Sequence, residues 1–217
     1  MIRFMSVGID LVSTAVVLIP VMFILYDTCL KRCGFGTRLQ LLVFAFYLSA
    51  VCSVTGIPAA DRLQMDPYFN LIPFLDIVNG PMAYIKNSVL NILLFIPLGF
   101  LLPVIWEPGY SSLKKVFLTG LGVSAGIEVL QIFTYRLTDV DDLITNTAGT
   151  ILGYYLAKLY ESRITKKEAV KAESAVSGYE PYLMILIVFL IMFLIQPLIA
   201  ENIWESVLDS GWWQKIK

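Results

Sequence analysis

Residues 182–199 read YLMILIVFLIMFLIQPLI, a run of 18 residues without a charged side chain. A helix crosses the hydrocarbon core of a bilayer with about 20 mostly apolar residues, so this run predicts a membrane span. The composition agrees: of 217 residues, 58% are hydrophobic and 15% are charged, and the mean hydropathy is +0.76. Soluble domains are about half apolar and about a quarter charged. The sequence therefore predicts an integral membrane protein.

Five further apolar runs of similar length lie between charged or turn-rich breaks, at about 4–26, 39–57, 87–106, 116–135 and 143–160. Asp10 interrupts the first run, and no small-residue cleavage pattern follows it, so we interpret it as a retained anchor and not as a secretion signal. Together the runs predict an all-α, polytopic membrane helical bundle of six transmembrane helices. It comprises a five-helix core and one C-terminal helix.

The positions of Lys and Arg predict the orientation, because cytoplasmic loops carry an excess of both. Ten of the 16 lie in or beside the first, third and fifth connections, and six lie on the other side, so both termini are expected outside. We divide the chain into a transmembrane core (1–160), a charged cytoplasmic linker (161–180) and a C-terminal helix with an external interfacial aromatic tail (181–217). Residues 68–74 of the second connection are apolar and aromatic, and are expected in the interface or folded back against the helices.

Several kinds of site are excluded or disfavoured by composition. The chain has no histidine, which excludes histidine metal centres, Ser-His-Asp triads and histidine phosphotransfer. The net charge of −1 gives no electrostatic reason to expect a nucleic-acid partner. Cys29, Cys33 and Cys52 lack a CxxC spacing and are interpreted as small apolar side chains.

Glu128 is the clearest polar residue inside an apolar run. An acidic side chain at the centre of a membrane helix costs about 2.5 to 3.5 kcal/mol on insertion scales, so it needs a partner or a cavity. Ser124 and Gln131 share its helical face, whereas Gly122 and Gly126 form a GxxxG pair on the opposite face. We expect the glycine face to pack against a helix and the polar face to line a wet site.

Other polar residues lie near the same ends of their runs. They are Asn87 and Asn91 in the third run, Asp142, Thr145 and Asn146 in the fifth, and Asp10 in the first. With the orientation given above, all of them lie at the depth of the outer leaflet, which predicts a single external polar pocket. Gly149 and Gly153 form a second GxxxG pair, which is expected to pack helices.

The short connection between the fourth and fifth runs carries one arginine among several acids. Arg136 can reach Glu128, Asp139 or Asp142 and would lower the cost of a buried carboxylate. Asp142 is placed to cap the fifth helix, to take part in function, or both. Asp139 and Asp141 are expected to be solvated. Alternatively, Asp139 and Asp142 hold Mg²⁺ or Ca²⁺.

These motifs, in combination, resemble those of the VanZ-like membrane protein family. They are Asn91-Ile-Leu-Leu-Phe-Ile-Pro97-Leu-Gly99, Glu128-Val-Leu-Gln131, the series Arg136, Asp139, Asp142 and Asn146, and Asn70-Leu-Ile-Pro73-Phe74. The resemblance covers about residues 1–160 and implies a role in the bacterial envelope, at the cytoplasmic membrane. The name-giving member is associated with low-level resistance to the lipoglycopeptide teicoplanin. The resemblance implies neither a reaction nor a cofactor.

The leading hypothesis is an outward-facing intramembrane pocket that binds a polar headgroup of a membrane lipid, a lipid-linked cell-wall precursor or a lipoglycopeptide. The ligand-binding candidates are Asn91, Glu128, Gln131, Arg136, Asp139, Asp142 and Asn146. The alternative is an intramembrane enzyme acting on a lipid-linked substrate, with Glu128 and Asp142 as catalytic candidates and Glu128 as acid or base. A proton-coupled transporter is weaker, because no polar path leads towards the cytoplasm. No cofactor is expected, and the oligomeric state is left open.

Overall fold

A computed structural model describes residues 2–28, 34–57, 60, 63, 68–70, 72–133, 137–164 and 179–209. Its elements are α1 (Ile2–Thr28), α2 (Phe35–Thr55), β1 (Tyr68–Asn70), α3 (Asp76–Asn79), α4 (Pro81–Ile105), α5 (Leu113–Gln131), β2 (Leu137–Asp139), α6 (Val140–Ile164), α7 (Glu180–Leu190), a π-helical segment (Ile191–Ile195) and α8 (Gln196–Asp209). The last three follow one another without a break. Each predicted span coincides with a long helix, so the all-α class is confirmed; the two strands have only three residues each.

Four helices in the described ranges are long and apolar enough to cross a membrane. They are Gly8–Thr28, Phe35–Thr55, Pro81–Ile105 and Glu180–Val207, with mean hydropathies of 2.3, 1.5, 2.4 and 2.9. The chain is therefore a membrane protein. The other two predicted spans, α5 and α6, are helices of 19 and 25 residues but are more polar, since α6 carries two acids in its first turn. That all six cross the membrane, with both termini outside, stays a prediction.

The chain forms two compact units. Unit 1 comprises Met1–Leu63 and Leu183–Lys217, and unit 2 comprises Gln64–Tyr182. In unit 1, α1 packs against α2 and α8. Apolar side chains of α1, α2 and the π-helical segment are buried, among them Leu18, Phe44 and Met192. The domain boundaries expected at residues 160 and 180 stay a prediction.

In unit 2, the backbones of α4 and α6 touch at glycines. A Cβ on Gly99 would overlap the carbonyl oxygen of Thr150, and a Cβ on Gly149 would overlap that of Ile92. A Cβ on Gly153 would likewise overlap the backbone of α4. The predicted packing role of Gly149 and Gly153 is confirmed, because no larger residue allows this approach.

The packing face of α5 differs from the predicted one. Among the described atoms, none lies within 4 Å of a Cβ built on Gly122, so the expected close contact there was wrong. Gly120 makes that contact, since its Cβ would lie 2.5 Å from the Thr150 side chain. Ser124 and Glu128 lie on the same face and are buried. Polar groups can occupy a packed face when they are paired across it, and the Asn146 Nδ2 donates to the Ser124 Oγ at 2.9 Å.

Strands β1 and β2 bring distant parts of unit 2 together. They pair in parallel, with Tyr68 opposite Leu137 and Asn70 opposite Asp139. Residues 68–74 were expected either in the membrane interface or folded back against the helices. The first three of them fold back, onto the connection between α5 and α6.

Candidate functional site

An open cleft of about 270 Å³ lies in unit 2 at the N-terminal ends of α4 and α6. Its described lining residues are Gly80, Ala83, Tyr84, Asn87 and Ser88 on the α4 side and Asp139, Asp141 and Asp142 on the α6 side. Helix α4 begins at Pro81, immediately after Gly80, because proline suits the first turn, where its missing N–H has no partner to lose. The acids lie where the N-terminal dipole of α6 stabilises negative charge.

Asp139 fixes the start of α6. Its Oδ1 accepts a hydrogen bond from the backbone N–H of Asp141 at 2.9 Å, which is the geometry of a helix N-cap. The Asn70 Nδ2 donates to the same oxygen at 3.4 Å. The cap is therefore Asp139. The prediction that Asp142 caps this helix was wrong, because the helix begins earlier than the apolar run that marks it in sequence.

Asp141 is buried, with 4% of its surface exposed, so the prediction of a solvated acid was wrong. Both of its carboxylate oxygens lie 3.0 Å from the backbone nitrogen of Phe74. Phe74 has a φ of 66°, a conformation that is unusual for a bulky side chain. The carboxylate of Asp141 thus holds a strained turn against the N-terminus of α6.

Asp142 connects α6 to α4. Its Oδ1 accepts a hydrogen bond from the Asn91 Nδ2 at 2.6 Å, and the same nitrogen lies 3.5 Å from the Thr145 Oγ1. Asp142 remains partly exposed and lines the cleft. Asn91 therefore orients one wall of the cleft.

Glu128 supports the same region from α5. It is 6% exposed, and its Oε2 accepts a hydrogen bond from the backbone N–H of Asp139 at 3.1 Å. The described lining of the cleft does not include Glu128. Its carboxylate holds in place the residue that caps α6, so Glu128 acts on the cleft through Asp139.

Two amide side chains, one on α5 and one on α6, are buried near the site. Gln131 is 4% exposed and Asn146 is 3% exposed. The Nδ2 of Asn146 donates to Ser124, whereas its buried Oδ1 accepts no hydrogen bond from the described residues. A donor brought by a ligand or by water would satisfy this oxygen.

The predicted site residues fall into three groups. Asp139 and Asp142 line the cleft, Asn91 and Glu128 contact these two acids, and Gln131 and Asn146 are buried, with Asn146 bonded to Ser124 of α5. Arg136 lies outside the described residues, as do Cys29 and Cys33. Asp10 belongs to unit 1, where its carboxylate accepts hydrogen bonds from Ser53 and Gln196.

Two polar residues of the cleft, Tyr84 and Ser88, were missed by sequence reasoning. The third run was expected to begin at residue 87, whereas α4 begins at Pro81. The Gly80-Pro81 pair is a helix-start signal that could have revealed Tyr84, whereas Ser88 lay within the predicted run.

The described side chains of the cleft supply oxygen atoms that can accept hydrogen bonds. In the described parts of the chain, no group of three Asp, Glu or Cys side chains is arranged to hold a cation. Carboxylate, hydroxyl and amide groups at a half-open site can bind hydroxyl and ammonium donors through charge-assisted hydrogen bonds.

Comparison with known proteins gives two matches and one negative result. A family model described as VanZ/LLP1 matches residues 44–161, more than half of the chain. Protein VanZ of Enterococcus faecium is 34% identical over 100 residues, which cover 46% of this chain and 58% of that protein. The chain thus spans less than two thirds of the length of this relative. No solved structure matches. From the extent of the family match and from the motifs around the cleft, this chain belongs to the VanZ/LLP1 family.

Proposed function

We propose that the cleft of unit 2 binds the polar headgroup of a lipid-tailed envelope molecule. That molecule is a membrane lipid, a lipid-linked cell-wall precursor or a lipoglycopeptide such as teicoplanin. Binding would give tolerance to such antibiotics at a bacterial cytoplasmic membrane. The observation that carries the proposal is an open cleft with three acids, Asp139, Asp141 and Asp142, in a chain with helices apolar enough to span a membrane.

The side chains favour a ligand rich in hydrogen-bond donors. Both oxygens of Asp141 already accept from the Phe74 backbone. Asp139 and Asp142 are the acids of the cleft whose side chains are partly exposed. Tyr84, Asn87 and Ser88 add hydroxyl and amide groups on the opposite wall. The ligand groups that could donate to this cleft are sugar hydroxyls, amides and ammonium groups. A role for Arg136 in contacting phosphate or carboxylate stays a prediction.

The enzyme alternative has less support. Glu128 was the expected acid or base, and its Oε2 accepts a backbone hydrogen bond from Asp139 behind the described wall of the cleft. A general acid or base must come within hydrogen-bond reach of its substrate. The observed contact favours a positioning role for Glu128.

The proposal is tested by filling the cleft. Ala83 lines the cleft and its side chain is exposed, so Ala83→Phe should block the ligand without disturbing the packed core. Leu93→Phe is the matched control, because Leu93 lies in the same helix and is 56% exposed outside the cleft lining. The minimum inhibitory concentration of teicoplanin is measured in a susceptible bacterial host at matched membrane levels.

We expect the parent chain and Leu93→Phe to raise the inhibitory concentration and Ala83→Phe to leave it at the level of the empty host. Full resistance with Ala83→Phe would exclude the cleft. Lipid mass spectrometry of the purified parent, Ala83→Phe and Arg136→Ala then identifies the ligand class as the headgroup species lost selectively in the variants.

A further inference from the structure

Unit 1 contains a second open cleft, of about 220 Å³, between α1, α2 and the end of the C-terminal helix. The described lining is Asp10, Cys52, Ser53, Gly56, Ile57, Met192, Gln196, Pro197, Ala200, Glu201 and Trp204. Asp10 lies about two turns from the start of α1 at Ile2, and Ser53 lies within one turn of the end of α2 at Thr55. This places the cleft towards one end of both helices.

Asp10 is held by neutral donors only. The Ser53 Oγ donates to the Asp10 Oδ2 at 2.6 Å, and the Gln196 Nε2 donates to the Asp10 Oδ1 at 2.8 Å. Within the part of the chain that the structure describes, no Lys or Arg side chain contacts this carboxylate. A carboxylate in a membrane helix is costly without a cationic partner.

The orientation of the Gln196 amide is fixed by its neighbours. A carboxylate accepts and does not donate, so the Gln196 nitrogen must face Asp10, and this nitrogen also donates to the Ser13 Oγ at 3.1 Å. The Gln196 oxygen therefore faces elsewhere. The side chain is 6% exposed and lines the cleft, yet this oxygen accepts no hydrogen bond from any described residue. An acceptor that lines the cleft in this way is available to a donor from a ligand or from water.

The helix backbone is irregular next to Gln196. The π-helical turn Ile191–Ile195 ends there, and Pro197 follows. Proline cannot donate to the carbonyl four residues earlier and its ring collides with that carbonyl, which a widened turn relieves. Single π turns occur frequently at functional sites. Gln196, which contacts Asp10, directly follows this turn.

We propose that this cleft binds a protonated primary amine. Asp10 and Glu201 supply carboxylate oxygens, Gln196 supplies an amide oxygen, and Trp204 supplies an aromatic ring for a cation–π contact. The lining thus offers acceptors to a ligand that donates three hydrogen bonds and carries a positive charge. The amine is either the headgroup of an aminophospholipid or a small soluble amine. Two of the three helices lie outside the family match at residues 44–161, and the proposal is independent of the function proposed for unit 2.

The test uses the purified full chain in nanodiscs of phosphatidylethanolamine with phosphatidylglycerol, or of phosphatidylcholine with phosphatidylglycerol. Phosphatidylcholine keeps the positive charge but has no N–H to donate. The melting temperature is measured for the parent, Asp10→Asn and Asp27→Asn. Asp27 is the matched control, because it is an exposed acid in the same helix. In a second arm, ethylammonium or tetramethylammonium is added to the phosphatidylcholine discs.

We expect ethanolamine lipid to raise the melting temperature of the parent and of Asp27→Asn, and not that of Asp10→Asn. Stabilisation by ethylammonium as well would identify a site open to soluble amines, whereas stabilisation by the lipid alone would identify the headgroup as the source. Asp10→Asn that responds like the parent, or a parent that responds to neither amine, would overturn the proposal.

A second variant covers the case in which Asp10→Asn does not fold. Trp204→Leu keeps an apolar side chain and removes the aromatic ring, so it should weaken the apparent affinity for the primary amine about tenfold, the equivalent of one moderate contact. An unchanged affinity in this variant would also contradict the proposed site.

Discussion

The Asn91 Nδ2 lies 2.6 Å from the Asp142 Oδ1 and joins α4 to the first turn of α6. These residues are 51 positions apart in sequence, and the hydrogen bond sets one wall of the cleft in unit 2. Because the acceptor is a carboxylate, this is a charge-assisted bond, stronger than one between neutral groups.

Replacing Asn91 by Leu should destabilise unit 2. Asp142 would lose the hydrogen bond from Asn91, and removing one partner of such a bond costs about 1 to 3 kcal/mol. Asn87→Ala, one turn away on an exposed position, is the control and should leave stability near that of the parent. Thermal unfolding in detergent measures both variants, and equal melting temperatures would contradict a structural role for the bond.

The helix contacts predict opposite effects for two Gly→Ala substitutions. Gly99→Ala should destabilise the protein by about 1 to 3 kcal/mol or more, because the new methyl group meets the backbone of Thr150. Gly122→Ala meets open space among the described atoms and should be neutral or stabilising by up to about 1 kcal/mol, since alanine favours the helix. Thermal unfolding measures both variants. A loss of stability with Gly122→Ala would show that the face of α5 that carries Gly122 is packed.

Asp141→Ala should loosen the turn that carries Phe74. The two 3.0 Å contacts to the Phe74 nitrogen disappear, and nothing then compensates for the positive φ of this residue. We expect faster hydrogen exchange of amides in residues 72–79 by mass spectrometry. Glu107→Ala, at an exposed acid of the same unit, should leave exchange in this segment unchanged. Protection retained in Asp141→Ala would show that the carboxylate does not hold the turn.

Glu128 should separate the effects of charge and of hydrogen bonding. Glu128→Gln keeps an oxygen that can accept from the Asp139 N–H, whereas Glu128→Leu does not. We expect both to insert into the membrane and Glu128→Leu to lose more stability, by about 1 to 3 kcal/mol. If the charge itself is needed, Glu128→Gln loses teicoplanin tolerance at near-normal stability. Normal tolerance in this variant would restrict Glu128 to positioning.

Much of the fold followed from local patterns. The lengths of the apolar runs predicted the long helices, because the bilayer fixes how many apolar residues a span needs. The small-residue spacing at Gly149 and Gly153 predicted a helix contact, and α4 makes it. Helical periodicity also put Ser124, Glu128 and Gln131 on one face, and all three are buried.

The wrong predictions concern which groups pack against a given helix face or side chain. Periodicity showed that α5 has a glycine face and a polar face, but not that the polar face packs, because that depends on partners such as Asn146 on another helix. The burial of Asp141 could not be predicted from its charged, loop-like surroundings, because its partner is the backbone of Phe74, which is 67 positions away.

The sequence by itself determined that this is a helical membrane protein, where its long helices lie along the chain, and which polar residues the bilayer makes costly. Only the tertiary structure decided which of these residues meet: Asp139 with Glu128, Asp142 with Asn91, and Asp10 with Gln196, which is 186 positions away. The physical reason is that apolar length and helical period are properties of a segment, whereas a hydrogen bond between helices depends on their rotation and separation, which the packing of all their neighbours sets.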